Sequence, residues 1–217
     1  MKTLKIWGRR DSFNVQKVMW LVGELGLEHE HIPAGGSHGG LDDPAFRAMN
    51  PHGKVPVIED GKVVVWESHA ILRYLAATYG GGDFWPADAT ARSQADRWID
   101  WSATTLQPDF LTGVFWGFYR TPEAQRDSVA VASKVAACAR HMRQLDRALA
   151  ERPWLGGDRF GLADIPAGTN LFRYFGVAVE RPAVPNVEDW YRRLQDRPAY
   201  RAHVMLPFDH LFGRLAF

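Results

Sequence analysis

Hydrophobic positions along this chain follow two rhythms, and the change comes near residue 80 of 217. In the first part, short β-branched runs alternate with helical spacings. Leu4 to Trp7 predicts a strand, and Gly8 to Phe13 a polar loop. Val15, Val18, Met19 and Val22 predict a helix over Asn14–Gly26, closed by the glycine. His29 to Pro33 reads as a second short strand, and Ala34 to Met49, with Gly35-Gly36 and Gly39-Gly40, as irregular chain lying over a cleft. Val55 to Ile58 and Val63 to Trp66 predict a hairpin, with Asp60-Gly61 as a strong turn signal between them. Ile71, Leu72, Leu75 and Tyr79 then fall at helical spacing behind Ser68, a good N-cap residue.

After Gly80-Gly81-Gly82-Asp83 and Pro86 the strand signals stop. Helices are predicted over about 89–118, 123–150, 162–176 and 186–196, with a shorter turn near 198–204. The clearest carries Val131, Val135, Cys138, Met142, Leu145 and Leu149, an apolar stripe of heptad type. Gly161 is an acceptable N-cap for the following helix, and Asp164 can reach back to the free N–H groups at its start. The fold class is therefore α+β. A thioredoxin-like domain over residues 1–80, in the order strand-helix-strand then strand-strand-helix, leads through a linker at 81–89 to an all-helical domain at 90–217.

Charge narrows the function. Lys+Arg 26 against Asp+Glu 25 leaves +1, with no basic run that would track nucleic acid or a membrane surface. The start, MKTLKIWGRRDS, holds too short an apolar stretch for a signal-peptide core, and nothing approaches the roughly 20 apolar residues of a membrane span. One cysteine excludes an intrachain disulfide framework and any cysteine-rich metal site. His29 and His31 alternate on a strand without a convincing third ligand, so no metal is expected. These features predict a soluble, cytoplasmic protein.

The chemistry concentrates between Asn50 and Tyr79. Pro56 sits where a missing N–H costs least, and an X-Pro bond is the one that adopts cis cheaply. A cis bond there would turn the backbone of Val55 toward a ligand. The N–H groups behind Ser68 would attract a carboxylate or phosphate. NP-x-G-K-VP, the Asp-Gly hairpin and WES-x-AI-x-RYLA occur together and in order, and the stretch resembles the glutathione-binding half of the cytosolic glutathione transferases. The resemblance covers essentially the whole chain and is closest to the bacterial theta- or nu-like type.

The resemblance implies roles. Val55-Pro56 would pair with the cysteinyl backbone of glutathione, and Glu67-Ser68 would hold its γ-glutamyl end. Lys54, and more weakly His52 and His38, would meet the glycine carboxylate. Only a few per cent of an unperturbed thiol is ionised at neutral pH, and lowering its pKa by roughly two units takes about 2.7 kcal/mol of differential stabilisation. Ser12 and Asn14, just ahead of the first helix, are placed to donate to the sulfur, or one of them merely caps that helix. No tyrosine or cysteine occupies that loop, and Cys138 on its apolar stripe reads as a small buried hydrophobe.

Trp101, Phe110, Phe115, Trp116 and Tyr119, with Phe208 and Phe212 of the tail, are expected to wall an apolar electrophile pocket, although an aromatic stripe on a helix is usually core. The expected activity is transfer of the glutathione thiolate to small apolar electrophiles, with glutathione as co-substrate. The alternatives are a glutathione-dependent disulfide reductase or peroxidase, and a non-catalytic ligand-binding member of the fold. The resemblance implies a homodimer, and the first long helix gives partial support, since it carries Trp98 and Trp101 beside its Val/Leu face, near Arg73 and Arg97.

Overall fold

A computed structural model describes residues 3–215. Four short strands form one mixed sheet in the order β2-β1-β3-β4. β1 (Leu4–Trp7) runs parallel to β2 (His29–Ile32) and antiparallel to β3 (Val57–Asp60), which pairs antiparallel with β4 (Val63–Trp66). The parallel pair needs a crossover, supplied by α1 (Phe13–Glu24). α3 (Ser68–Tyr79) packs beside α1, and Ile71, Leu72 and Leu75 of its inner face are fully buried.

Several boundaries differ from expectation: the helix expected over 162–176 starts at Asp164 with Ala163, not Gly161, at its N-cap, and three other differences have a local reason. β3 starts at Val57 rather than Val55, because Pro56 has no N–H to give to the ladder. The segment expected to be irregular contains a short helix, α2 (Pro44–Met49): Asp43 accepts from the Ala45 N–H at 2.7 Å and Pro44 fills the first helical position. Ser68 is the first residue of α3 and not its N-cap, a position taken by Glu67.

A four-residue turn of helix, α4 (Gly81–Phe84), leads to α5 (Ala89–Trp101). The helix runs on through Ser102–Leu106 and Pro108–Arg120 with turns widened to five residues, as in Thr121 N–H to Trp116 O at 3.0 Å. Pro108 has no N–H, and its ring would press on the carbonyl one turn back, so a wider turn relieves it. Then follow α6 (Ser128–Leu149), α7 (Asp164–Gly176), α8 (Pro185–Gln195) and α9 (Pro198–His203). Along α6, Cys138, Met142, Leu145 and Leu149 are buried, while Val131 and Val135 are only half-buried. Asp164 does reach back: it accepts from Gly161 N–H at 3.0 Å, Leu155 N–H at 2.9 Å and Trp190 Nε1 at 3.0 Å.

The sheet part and the helical part share one core. Trp20 of α1 is fully buried edge-on against Tyr200 of α9, ring centroids 4.7 Å apart. Beside it, Glu24 takes two bonds from the Arg197 guanidinium at 2.7 and 2.6 Å. The C-terminal end of α1 is thereby fixed against the helical part.

Candidate active site

Asn14, Lys54, Val55, Pro56, Glu67 and Ser68 line one cavity of about 140 Å³, with Asn50 completing its wall. Three separate turns converge there. Gly8 ends β1 at φ 153°, and a side chain on it would strike Val15 and press on Val55, so only glycine lets the loop before α1 lie this close to the Val55–Pro56 bond, which is cis. Asn50 was not foreseen as part of the site. It is buried, donates to the Lys54 carbonyl at 2.8 Å and accepts from the His52 N–H at 3.1 Å, so it holds the 50–54 turn in shape. Its signal was present in the Asn-Pro-x-Gly turn it opens.

The third turn is strained. Glu67 has φ 70° and ψ 116°, the one positive φ outside glycine among the described residues. Such a conformation costs of order 1–3 kcal/mol and persists where surrounding structure imposes it. Its effect is to swing the chain directly from β4 into α3. Ile71 N–H is the first to find a carbonyl of its own helix, Glu67 O at 2.9 Å, so the N–H groups of Ser68, His69 and Ala70 have no such partner. A carboxylate at this end meets those donors and the positive end of the helix.

Ser12 occupies the N-cap position of α1, yet its side chain makes no capping bond; only its backbone is engaged, accepting from Gln16 N–H at 2.9 Å. Ser12 is not among the residues that line this cavity; it lies two residues before Asn14, which does. Asn14 Oδ1 faces the Lys17 ammonium at 3.1 Å. An ammonium offers only donors, so the contacting atom must be the oxygen, and the Asn14 NH₂ is turned elsewhere. Lys17 itself is fully buried, with His69 Nε2 at 2.9 Å and Gln107 Oε1 at 2.5 Å as its other partners. Burial brings its pKa down to about 7, against the pull of Glu67, and brings His69 down to about 2, so His69 is neutral and accepts. Sequence reasoning passed over Lys17 and His69. The spacing of Lys17, one turn after Asn14 and between Val15 and Val18, was the available clue.

Behind the same loop lies Arg173 of α7, 3% exposed, its Nη2 donating to Asp11 O at 2.6 Å. Its guanidinium stacks 4.7 Å from the Phe115 ring and 5.7 Å from Phe13. Burial lowers its pKa to about 10. The aromatics expected around the electrophile gather here. Phe115 stacks on Tyr119 at 5.2 Å, and Phe208 and Phe212 meet Tyr119 at 5.2 Å each. Phe110, Phe115, Tyr119 and Phe208 are buried in the core, while Phe212 is 58% exposed. Trp101 lies apart, edge-on to Trp98 at 5.4 Å, and Trp116 carries the Arg120 guanidinium at 3.9 Å.

A second cavity, about 410 Å³, opens against residues 9–11 of the loop and reaches His38, Leu211 and Arg214. His38 thus faces this cavity and not the first. His52 lines neither; its ring rests edge-on against Trp66 at 5.0 Å. Cys138 is remote from both, and burial pushes its thiol up to about 12.

The glutathione S-transferase N-terminal domain profile matches residues 7–83, and the glutathione S-transferase C-terminal domain profile matches residues 128–193. Glutathione S-transferase GstB of Escherichia coli K12 is 39% identical over 206 residues, covering 94% of this chain and 99% of that protein. The chain belongs to the glutathione S-transferase family. Glutathione S-transferase 3 of Zea mays is 32% identical, with 94% of each chain covered. Among solved structures, the theta class glutathione S-transferase of Xanthomonas axonopodis pv. citri with glutathione bound superposes with a TM-score of 0.90 at 43% identity, over 95% of this chain and 99% of that one. In this glutathione S-transferase the N-terminal match contains every residue lining the first cavity. The C-terminal match contains Arg173 but ends before Leu211 and Arg214, so one wall of the second cavity lies outside it.

Proposed function

We propose that this glutathione S-transferase binds reduced glutathione in the first cavity and transfers its sulfur to a small electrophile. The cysteinyl backbone lies against Val55, the γ-glutamyl end at Glu67 and Ser68, and the glycine carboxylate near Lys54. The thiol then sits at Ser12 and Asn14, at the N-terminal end of α1. The observation that carries this reading is the convergence of Asn14, Val55, Pro56, Glu67 and Ser68, drawn from three separate turns, on one cavity wall.

The thiol proton passes to solvent, and the Ser12 hydroxyl, uncommitted to the helix, donates to the thiolate left behind. The Asn14 NH₂, its oxygen tied to Lys17, is the second donor. Free N–H groups at the start of α1 add to the field. The sulfur forms its new bond to the electrophilic carbon while the leaving group departs with the bonding pair. Protein groups supply position and anion stabilisation, and glutathione is the nucleophile. Cys138, protonated and remote, takes no part.

Detoxification of reactive electrophiles follows from that chemistry, and a reduced thiol as co-substrate suits the cytoplasm. We read the protein as a homodimer. Arg73 is spent within the chain, on Asp96 at 2.7 Å and Asp100 at 2.6 Å, while Val63 and Val64 of β4 remain 44% and 40% exposed. Isothermal titration with glutathione tests the binding mode. Glu67→Ala combined with Ser68→Ala should weaken affinity about tenfold or more, because a charged end loses its partners. Unaltered affinity in that double variant would reject the placement.

A further inference from the structure

The second cavity is built for negative charge. Arg9, Arg10 and Arg214 border it with His38 and His210, against the single carboxylate of Asp11. Three guanidinium charges less one carboxylate leave +2 around about 410 Å³, leaving the imidazoles out of the sum. Asp11 is already committed, to Arg9 Nε at 3.0 Å and His210 Nε2 at 3.0 Å. The Arg10 and Arg214 side chains are exposed and have no ion-pair partner among the described residues. Two planar forks, each able to take a carboxylate through paired N–H bonds, therefore border an open space in a surrounding positive field.

The position of this space matters as much as its charge. Asp11 borders the second cavity and Asn14 the first, with Ser12 between them in the chain. A thiol held at Ser12 has glutathione's own site on one side and the basic cavity on the other. Phe115 and Phe208, which would make an apolar well, are instead buried against Arg173, and Phe110 is buried against Phe115 and Tyr174. What remains apolar along the cavity is Leu211, enough for a small carbon skeleton.

We propose that the second cavity is the electrophile site and selects electrophiles bearing a carboxylate, held by Arg10 and Arg214 while the glutathione thiolate attacks. This rests on the glutathione transferase reading above. For an aryl halide, the thiolate sulfur bonds to the halogen-bearing carbon and halide leaves with the carbon–halogen pair. The thiol proton has already gone to solvent, so no other co-reactant is needed. A carboxylate reaches this cavity from one of two sources, the electrophile or the glycine end of glutathione, and the test separates them.

The full-length protein is assayed with a chlorodinitrobenzoate and the chlorodinitrobenzamide of the same substitution pattern, each kcat/KM divided by the uncatalysed rate with glutathione. The benzoate should be favoured about tenfold, the value of one charge-assisted pairing. Added salt should shrink that preference. Arg10→Ala combined with Arg214→Ala should bring the ratio close to one, acting on the benzoate KM. Equal treatment of the two compounds by the unmodified protein overturns the proposal while the transferase reading stands. An unaltered ratio in the double variant, with weakened glutathione affinity and both electrophiles slowed alike, assigns the cavity to the glycine carboxylate and also overturns it. Failure of the unmodified protein to bind glutathione or turn over either compound removes the transferase reading itself, and the proposal with it.

Discussion

Lys17 Nζ lies 3.1 Å from Asn14 Oδ1, at the buried edge of the cavity that Asn14 lines. The contact orients the Asn14 amide, since Lys17 Nζ donates and only the amide oxygen can accept. Lys17 therefore acts through Asn14, as a positioning residue. Lys17→Met and Asn14→Ala should each lower kcat/KM by about a hundredfold to a thousandfold, the scale for losing one donor to an oxyanion-like centre. Because both remove the same oriented donor, the double variant should be little worse than either single one. Multiplicative losses would mean that the two act independently.

The same lysine sets a pH dependence of stability. Its pKa is about 7 in the folded chain against an ordinary value of 10.5, lowered by burial. Below the folded value, the buried charge is a cost. Between the two values folding releases a proton, so stability rises as pH rises from about 7 toward 10.5 and is lost again as pH falls. The sum over that window is a few kcal/mol. Denaturant unfolding of the unmodified protein and of Lys17→Met at both ends of the window should show a gain with pH that the variant lacks. Parallel profiles would place the charge of Lys17 in a solvated environment.

Glu67 combines strain with function. Glycine tolerates φ 70° better than alanine does, so Glu67→Gly should unfold at a higher temperature than Glu67→Ala. Both variants should lose glutathione affinity about equally, because both lose the carboxylate. Calorimetry of the pair separates the contributions. A glycine variant less stable than the alanine variant would show that the turn is not strained at this residue.

Much of the fold was legible because its signals are local. Leu4–Trp7 is the short strand expected, Val63–Trp66 is a strand as its β-branched run predicts, and the α6 stripe buries Cys138, Met142 and Leu145. The start of α3 was placed one residue late, since nothing in Glu67-Ser68 announces a positive φ outside glycine. Of the site, the Val55-Pro56 and Glu67-Ser68 elements can be read because turns and helix starts have residue preferences. Lys17 and Asn50 were missed for the opposite reason. A buried polar residue earns its place through partners distant in sequence, such as Gln107 for Lys17, and no periodicity encodes them. The aromatics behaved likewise: their spacing says only that a face is apolar, and Arg173 of a later helix decides what Phe115 packs against.

The dimer reading is open to a mass measurement. Light scattering at micromolar concentration should give about twice the 24.5 kDa of the chain. A mass near that of a single chain would refute it.

The central claim is that the Ser12 loop holds glutathione as its thiolate. Ultraviolet titration of the thiolate absorbance of enzyme-bound glutathione reads this directly. The bound thiol should titrate roughly two units below the free value of about 8.5. Ser12→Ala should move it back toward that value with a smaller change in the dissociation constant, and Cys138→Ser should leave it in place. A bound thiol that titrates as it does in solution, or one indifferent to Ser12→Ala, would contradict the account.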